Sequence, residues 1–340
     1  MQIYYNIFVK TCLLSILFLI PFNAAAAQKP AQAVQPVAQA AQGPGFCVFG
    51  AQSGKAFNSE AAFKSVIWKN DVVYVGETHD QALDHLAQLE ALKAMKTARG
   101  AKIVVGFEML NQTLQPALNE YAEGKLAEED FLNKIDWKKE WGFDFNIYKP
   151  LFDFIRENKL KALALNVPKK VVSKIARGGL ESLSAEEKQY LPQKVEITRH
   201  KKYNEYLKTS FAGHGNSPMA KMFTLENYLV SMAAWNEGMG ARLAAFLNAN
   251  AGYAALVVAG NGHVIYNAAI PASVKARVKG VRQASFYTED AAKCPVKFPK
   301  EHKDMANYLW YINHPQKAAP AQATPDSAQP PVSTAPAAMP

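Results

Sequence analysis

Four side chains of this sequence combine reactive chemistry with a telling position: Glu77, His79, Glu108 and His263. Each stands at or just past the end of a short apolar run. Val72-Val73-Tyr74-Val75-Gly76 leads into Glu77-Thr78-His79-Asp80, and Ile103-Val104-Val105-Gly106-Phe107 leads into Glu108. Leu256-Val257-Val258-Ala259 leads into Gly260-Asn261-Gly262-His263. Paired carboxylates and imidazoles can exchange protons, or hold a divalent ion such as manganese or zinc. Extended backbone projects Glu77 and His79 to one side. Simpler readings stand beside these. Glu77 can accept N–H bonds at the next helix start, His79 can sit in that helix's first turn, and Glu108 can lie near a surface loop. Asn261 and His263 can form a glycine-rich turn.

The elements that must position these groups read as an α/β pattern. The three apolar runs predict buried strands, as do Ala162-Leu163-Ala164-Leu165-Asn166 and residues 283–287. Helical patterns alternate with them. Asp80 is expected to cap a helix carrying Leu83, Leu86, Leu89, Leu92 and Met95. Further helices are expected over 112–123, 127–135, 148–158 and from Pro168 to Gly178-Gly179. Residues 180–222 break the alternation, with helical stretches at 183–190 and 195–210 and no strand between them. The expected fold class is therefore α/β: a mostly parallel central sheet flanked by helices, with a helical insertion or cap. In such a sheet the strands' carboxyl ends share one rim, where ligands bind. Glu77, His79, Glu108, Asn166 and His263 would meet there.

The longest helical run, 223–248, carries Tyr228, Met232, Trp235 and Met239 in one stripe. Core packing is its default explanation, and a surface for a flat hydrophobic cofactor is the sharper one. The other histidines are assigned no role: His85 and His200 are expected at the surface, His214 on a loop, His302 and His314 near the tail.

The ends have a different character. Residues 1–27 have one lysine, an apolar core and Ala24-Ala25-Ala26-Ala27 before Gln28, the layout of a signal peptide cleaved near Ala27-Gln28. Residues 28–45 and 315–340 are rich in Ala, Gln and Pro and are expected to be flexible. The folded domain is then 46–314. Two cysteines remain near its ends, Cys47 and Cys294, and an exported protein favours bridging them. The net charge of +9 is spread in short runs such as His200-Lys201-Lys202. Without a long basic block or nucleic-acid motif it suits solubility and mild attraction for anions, not nucleic-acid binding. No GxSxG, HExxH, P-loop or GxGxxG motif is present.

Val75-Gly76-Glu77-Thr78-His79-Asp80, Gly106-Phe107-Glu108-Met109, and Ala259 to Val264 followed by Ile270-Pro271 together resemble the ChaN-like haem-binding lipoproteins, relatives of Tiki proteases and erythromycin esterases. The resemblance runs from about Val66 to Tyr287. Trp235-Asn236-Glu237-Gly238-Met239 also resembles the family's helix before its last histidine motif, with Asn236 where an acid is expected. An ordinary cleaved signal stands in place of a lipidated cysteine. The resemblance implies an exported, periplasmic or outer-membrane-associated protein of haem and iron uptake. It also implies a homodimer enclosing paired haems, a tyrosine on the iron, and an outer-membrane haem receptor as partner. Glu77, His79, Glu108, Asn261 and His263 carry over to the haem site. Tyr266 is the first choice for iron ligand and Tyr228 the second, with His79 and His263 as further iron donors. The same Glu77, His79, Glu108 and His263 would instead serve a metal-dependent esterase or peptidase.

Overall fold

The structure is a computed structural model that describes Gly45 and residues 47–57, 59–213 and 223–312. The expected signal segment, most of the 28–45 linker, His214, His314 and the tail lie outside the described residues. Seven strands form one sheet: β1 Val48–Gly50, β2 Val72–Glu77, β3 Ile103–Asn111, β4 Lys161–Asn166, β5 Ala254–Gly260, β6 Gln283–Asp290 and β7 Tyr308–Ile312. Their order is β1-β7-β6-β2-β5-β3-β4, all parallel except β1, which pairs antiparallel with β7. The helices are α1 Glu60–Lys69, α2 Ala82–Arg99, α3 Gln115–Ala122, α4 Glu128–Ile135, α5 Trp137–Glu140, α6 Phe145–Glu157, α7 Lys169–Gly178, α8 Ala185–Lys188, α9 Lys201–Gly213, α10 Leu225–Ala249 and α11 Ile270–Arg277.

This is the α/β sheet the apolar runs predict, because strands covered on both faces read as continuous hydrophobic segments. Val73, Val75, Val105, Phe107, Leu256 and Val258 enter one core with α1, α2 and α6. Val72, Tyr74, Val104, Ala255 and Val257 enter the other with α10 and α11. The order β2-β5-β3 sets the ends of the three motif-bearing strands side by side, and Glu77 pairs in register with Gly260.

Several expectations are corrected. The edge strands β1 and β7 were not foreseen, although both fall within the expected 46–314 domain. The second apolar run continues as strand through Glu108 to Asn111, so Glu108 is inside a strand and buried. Asp80 does not cap α2. Gln81 holds that position without a side-chain bond, and Asp84 takes the N–H of Thr78 at 2.7 Å. Within the insertion the described residues hold a 3-10 turn at Leu180–Ser182 and α-helices at Ala185–Lys188 and Lys201–Gly213, and 191–200 has no regular structure. The expected Cys47–Cys294 bridge is present, with Cα atoms 5.6 Å apart.

Gly76 shows how closely the rim is packed. A Cβ there would overlap Asn261 Oδ1. Asn261 cannot yield, because its amide donates to Thr288 O at 3.0 Å and accepts from Thr288 N. Gly76→Ala is expected to cost about 1–3 kcal/mol as an overpacked site. Urea denaturation checks this, and an unchanged midpoint would remove the packing argument.

Candidate functional site

The rim gathers two buried carboxylates, each dressed by histidine. Glu77 Oε1 accepts from His79 Nδ1 at 2.8 Å and from the hydroxyl of Tyr148 at 2.9 Å. Glu77 Oε2 accepts from Gln88 Nε2 at 2.7 Å, and His85 Nδ1 lies 3.4 Å away. Burial alone would raise the Glu77 carboxyl, but the imidazoles of His85 and His79 overcome it and hold the group far below the usual carboxylate range. Burial would lower both rings. The Glu77 charge reverses that, and both are raised. Burial and the Glu77 charge push the Tyr148 hydroxyl well up, so it stays a donor.

Glu108 organises the second half. Its Oε2 accepts the Gly260 N–H at 2.6 Å, and its Oε1 lies 3.2 Å from His263 Nε2. That contact is close enough for an ion pair but is not aligned as a hydrogen bond, which leaves Oε1 a buried acceptor without a donor among the described residues. Burial raises the Glu108 carboxyl, while His263, His79 and the Gly260 N–H more than offset it. On the far side of the ring, His263 Nδ1 meets Asn236 Oδ1 at 2.6 Å, and Asn236 Nδ2 donates to Tyr203 at 2.8 Å. Trp235 packs edge-on against His263 at 5.1 Å and hydrogen-bonds Asn166, whose amide donates to Glu108 O at 2.7 Å. The two halves join at Gly260. A Cβ there would lie 2.7 Å from His79 Cε1 and 3.5 Å from Glu108 Oε2.

Glu77, His79, Glu108, Asn166 and His263 therefore converge as their strand ends require. Asn261 is adjacent, but its amide is committed to Thr288. Tyr228 lies elsewhere, buried, with its hydroxyl 3.3 Å from Ser210 Oγ. Met232 and Met239 are buried in two different cores, so the stripe on α10 is packing and offers no open face to a flat ligand. Tyr266 lies three residues past His263, in a left-handed turn with φ 59° that Asn267 continues at φ 54°. The Tyr266 side chain is half-buried and stacks on the His200 ring, with centroids 5.5 Å apart. Among the described residues its hydroxyl has no hydrogen-bond partner. Burial and the Glu205 charge raise its pKa.

His85 corrects the surface assignment: it is 1% exposed. With Gln88, Tyr148 and Tyr203 it was missed by the sequence reading. The usable signal was spacing, since His85 and Gln88 share a helical face with Leu92 and Met95, and Tyr148 shares one with Leu151, Phe152 and Ile155. No group of three or more His, Cys, Asp or Glu side chains among the described residues is arranged to hold a metal ion. Three of the four carboxylate oxygens of Glu77 and Glu108 face hydrogen-bond donors instead of a common point.

A family model described as haem-binding uptake, Tiki superfamily, ChaN matches residues 65–274. The chain belongs to this family. Among solved structures it is similar to ChaN of Campylobacter jejuni, described with cofacial haem binding, at 15% identity and a TM-score of 0.59, covering 79% of this chain and 96% of that one. Weaker likenesses are to the type III effector HopBA1 (10% identity, 75% and 94% covered, TM-score 0.43) and the erythromycin esterase EreC (12%, 71% and 76%, 0.41). No curated protein sequence matches. At these identities the structural likenesses bear on the fold alone.

The Glu77 network sets a pH window. The two histidines, with raised folded-state pKa values, contribute stability below their unfolded value of about 6.5, and it is lost as pH rises through the folded values. Glu77, depressed in the fold, contributes above its unfolded value of about 4.3, and loses it as pH falls through the folded one. Full stabilisation lies between. Glu77→Gln is expected to lose about 3–5 kcal/mol at pH 6 and to show a smaller fall in melting temperature from pH 6 to 8.5 (roughly the rings' titration range). Parallel wild-type and variant curves would rule out the charge network.

Proposed function

We propose that the protein binds haem on the face beside α9, with Tyr266 as the iron ligand, and that it serves haem uptake outside the cytoplasm. The observation that carries this is the Tyr266 hydroxyl. It is an oxygen donor without a hydrogen-bond partner among the described residues, fixed by a left-handed turn and stacked on His200. Bound haem would supply a ferric iron, a centre that takes a tyrosine oxygen. The Tyr266 pKa, raised in the protein alone, means that the hydroxyl stays protonated until a cation is present to take its place. His200, stacked on the ring, is flanked in sequence by exposed Arg199, Lys201 and Lys202, cations suited to propionates. A narrow groove of about 20 Å³ opens two residues further on, lined by Ile197, Tyr203, Leu207, Leu229, Ala268 and Ala269 with Glu196 and Glu237 at its polar side. It is far smaller than the roughly 300–1,000 Å³ of ligand sites, so a haem would lie over this face and not inside the groove.

His79 and His263 serve the iron less well. Both are buried, and each has a ring nitrogen committed to a side chain of the rim. Their role in this reading is to hold the strand ends and the turn from which Tyr266 projects. Family membership supports haem as the ligand class. The Cys47–Cys294 bridge supports an oxidising compartment, as the signal-like leader does.

A second reading rests on the unsatisfied Glu108 Oε1 facing His263. A carboxylate and imidazole without a settled hydrogen bond could pass a proton to a bound ester or amide. The closed surroundings of Glu108 favour the first reading.

Titrating the protein with ferric haem tests it. A saturable Soret change is expected, weakened about tenfold or more by Tyr266→Phe and less by His263→Ala in protein that remains folded. Equal affinity of wild type and Tyr266→Phe would overturn the ligand assignment.

A further inference from the structure

Residues 291–307, between β6 and β7, lie outside the reading above yet end against Tyr266. The first half of this strap is largely exposed, with Val296 fully so. It is fixed by the Cys47–Cys294 bridge and by Phe298, whose ring is 5.7 Å from that of Phe49. The second half dips inward. Met305 and Ala306 are buried, Asn307 O accepts from Ala51 N at 2.9 Å, and Asn307 Oδ1 accepts from Ser285 N at 3.0 Å. Asp304 bonds Gln52 and lies 3.4 Å from Lys202 on α9. The Met305 carbonyl then accepts the Tyr266 N–H at 2.5 Å.

Strained backbone concentrates at this junction. Of the five non-glycine residues with positive φ among the described residues, Tyr266, Asn267 and Asp304 meet here, at 59°, 54° and 71°. Such conformations persist only where the surroundings over-determine them, and they cluster where a side chain must be held in one place.

We propose that the disulfide-closed strap is the positioning element for Tyr266, so that opening Cys47–Cys294 weakens the hold on the ligand there. This rests on Tyr266 as the iron ligand. Opening needs an external dithiol. Its thiolate attacks one cysteine sulfur and expels the other as thiolate. Its second thiol then resolves the mixed disulfide, leaving two cysteine thiols and an oxidised reductant. With the bridge open, the strap keeps Phe298 against Phe49, the Ala291 N–H bond to Ile312 O at 3.0 Å and the His302–Tyr311 contact, but no covalent tie. The hold of Asp304 on Gln52 and Lys202 then loosens, and Tyr266 loses the Met305 carbonyl that fixes its turn. A bridge that served global stability alone would leave haem affinity unchanged in the folded protein.

The test is ferric haem titration of the oxidised full chain, of the chain reduced with dithiothreitol, alkylated and freed of reductant, and of Cys47→Ser/Cys294→Ser. Circular dichroism reports folding, and the tyrosinate-to-iron charge-transfer band reports the ligand itself. Both opened forms are expected to bind about tenfold more weakly, with a diminished band. Asp304→Ala, which keeps the bridge but cuts the contacts to Gln52 and Lys202, is expected to do the same, and it decides the matter if the opened forms do not fold. Unchanged affinity and band in a folded opened form, or in Asp304→Ala where none folds, overturns the proposal while leaving Tyr266 as ligand. No effect of Tyr266→Phe on the oxidised chain overturns the ligand assignment and the strap's role together.

Discussion

Two carboxylates with no solvent around them are the constraint from which the rest of this structure follows. A buried unpaired charge costs several kcal/mol, so Glu77 and Glu108 can exist only if the fold brings donors to them. No single segment could do so. Glu77 takes its partners from the turn after β2, from α2 and from α6. Glu108 takes its partners from the end of β5 and the turn beyond it. Each donor is held by a further bond, such as Trp141 to the Tyr148 hydroxyl at 2.9 Å and Asn236 to His263. The rim is therefore a cooperative polar network inside an apolar frame, in which each group depends on the next.

Parallel pairing makes this assembly possible. Strands of one direction end on one side, so Glu77, Gly260 and Glu108 arrive together although far apart in sequence. Gly260 joins the two carboxylate centres because it has no side chain to keep the His79 ring and the Glu108 carboxylate away from its backbone. The turn that follows carries His263 inward and Tyr266 outward, so one short stretch of chain serves both the closed network and the open face.

Much of this was legible because central parallel strands have an unmistakable pattern. The runs before Glu77 and Asn261 needed only their apolar character, and their polar ends then had one place to go. The edge strands were harder. Val48–Gly50 is three residues long, and Tyr308–Ile312 borders a Pro/Ala-rich tail that masks its β pattern. The register shift in β3 between Phe107 and Asn111 defeats a face assignment for Glu108 by simple alternation. His85 was misjudged because a histidine among leucines reads as a surface break in an apolar stripe. Its burial depends on Glu77, a partner eight residues away whose direction no local pattern discloses. The insertion 180–222 kept helix at Ala185–Lys188 and from Lys201 onward but not over 195–200, where tertiary contacts override propensity.

Strand β1 runs back along β7, and this has a consequence for whatever the chain carries. Tyr311 N–H bonds the Cys47 carbonyl and Trp310 Nε1 bonds Gly45 O, so the first and last described residues leave the domain as neighbours. β7 is parallel to β6 and β6 to β2, which makes their exit the same side that bears the imidazoles. A group joined directly at Gly45 or Ile312 would therefore emerge on the imidazole side of the sheet, and a label meant to spare that side belongs near the amino ends of the strands.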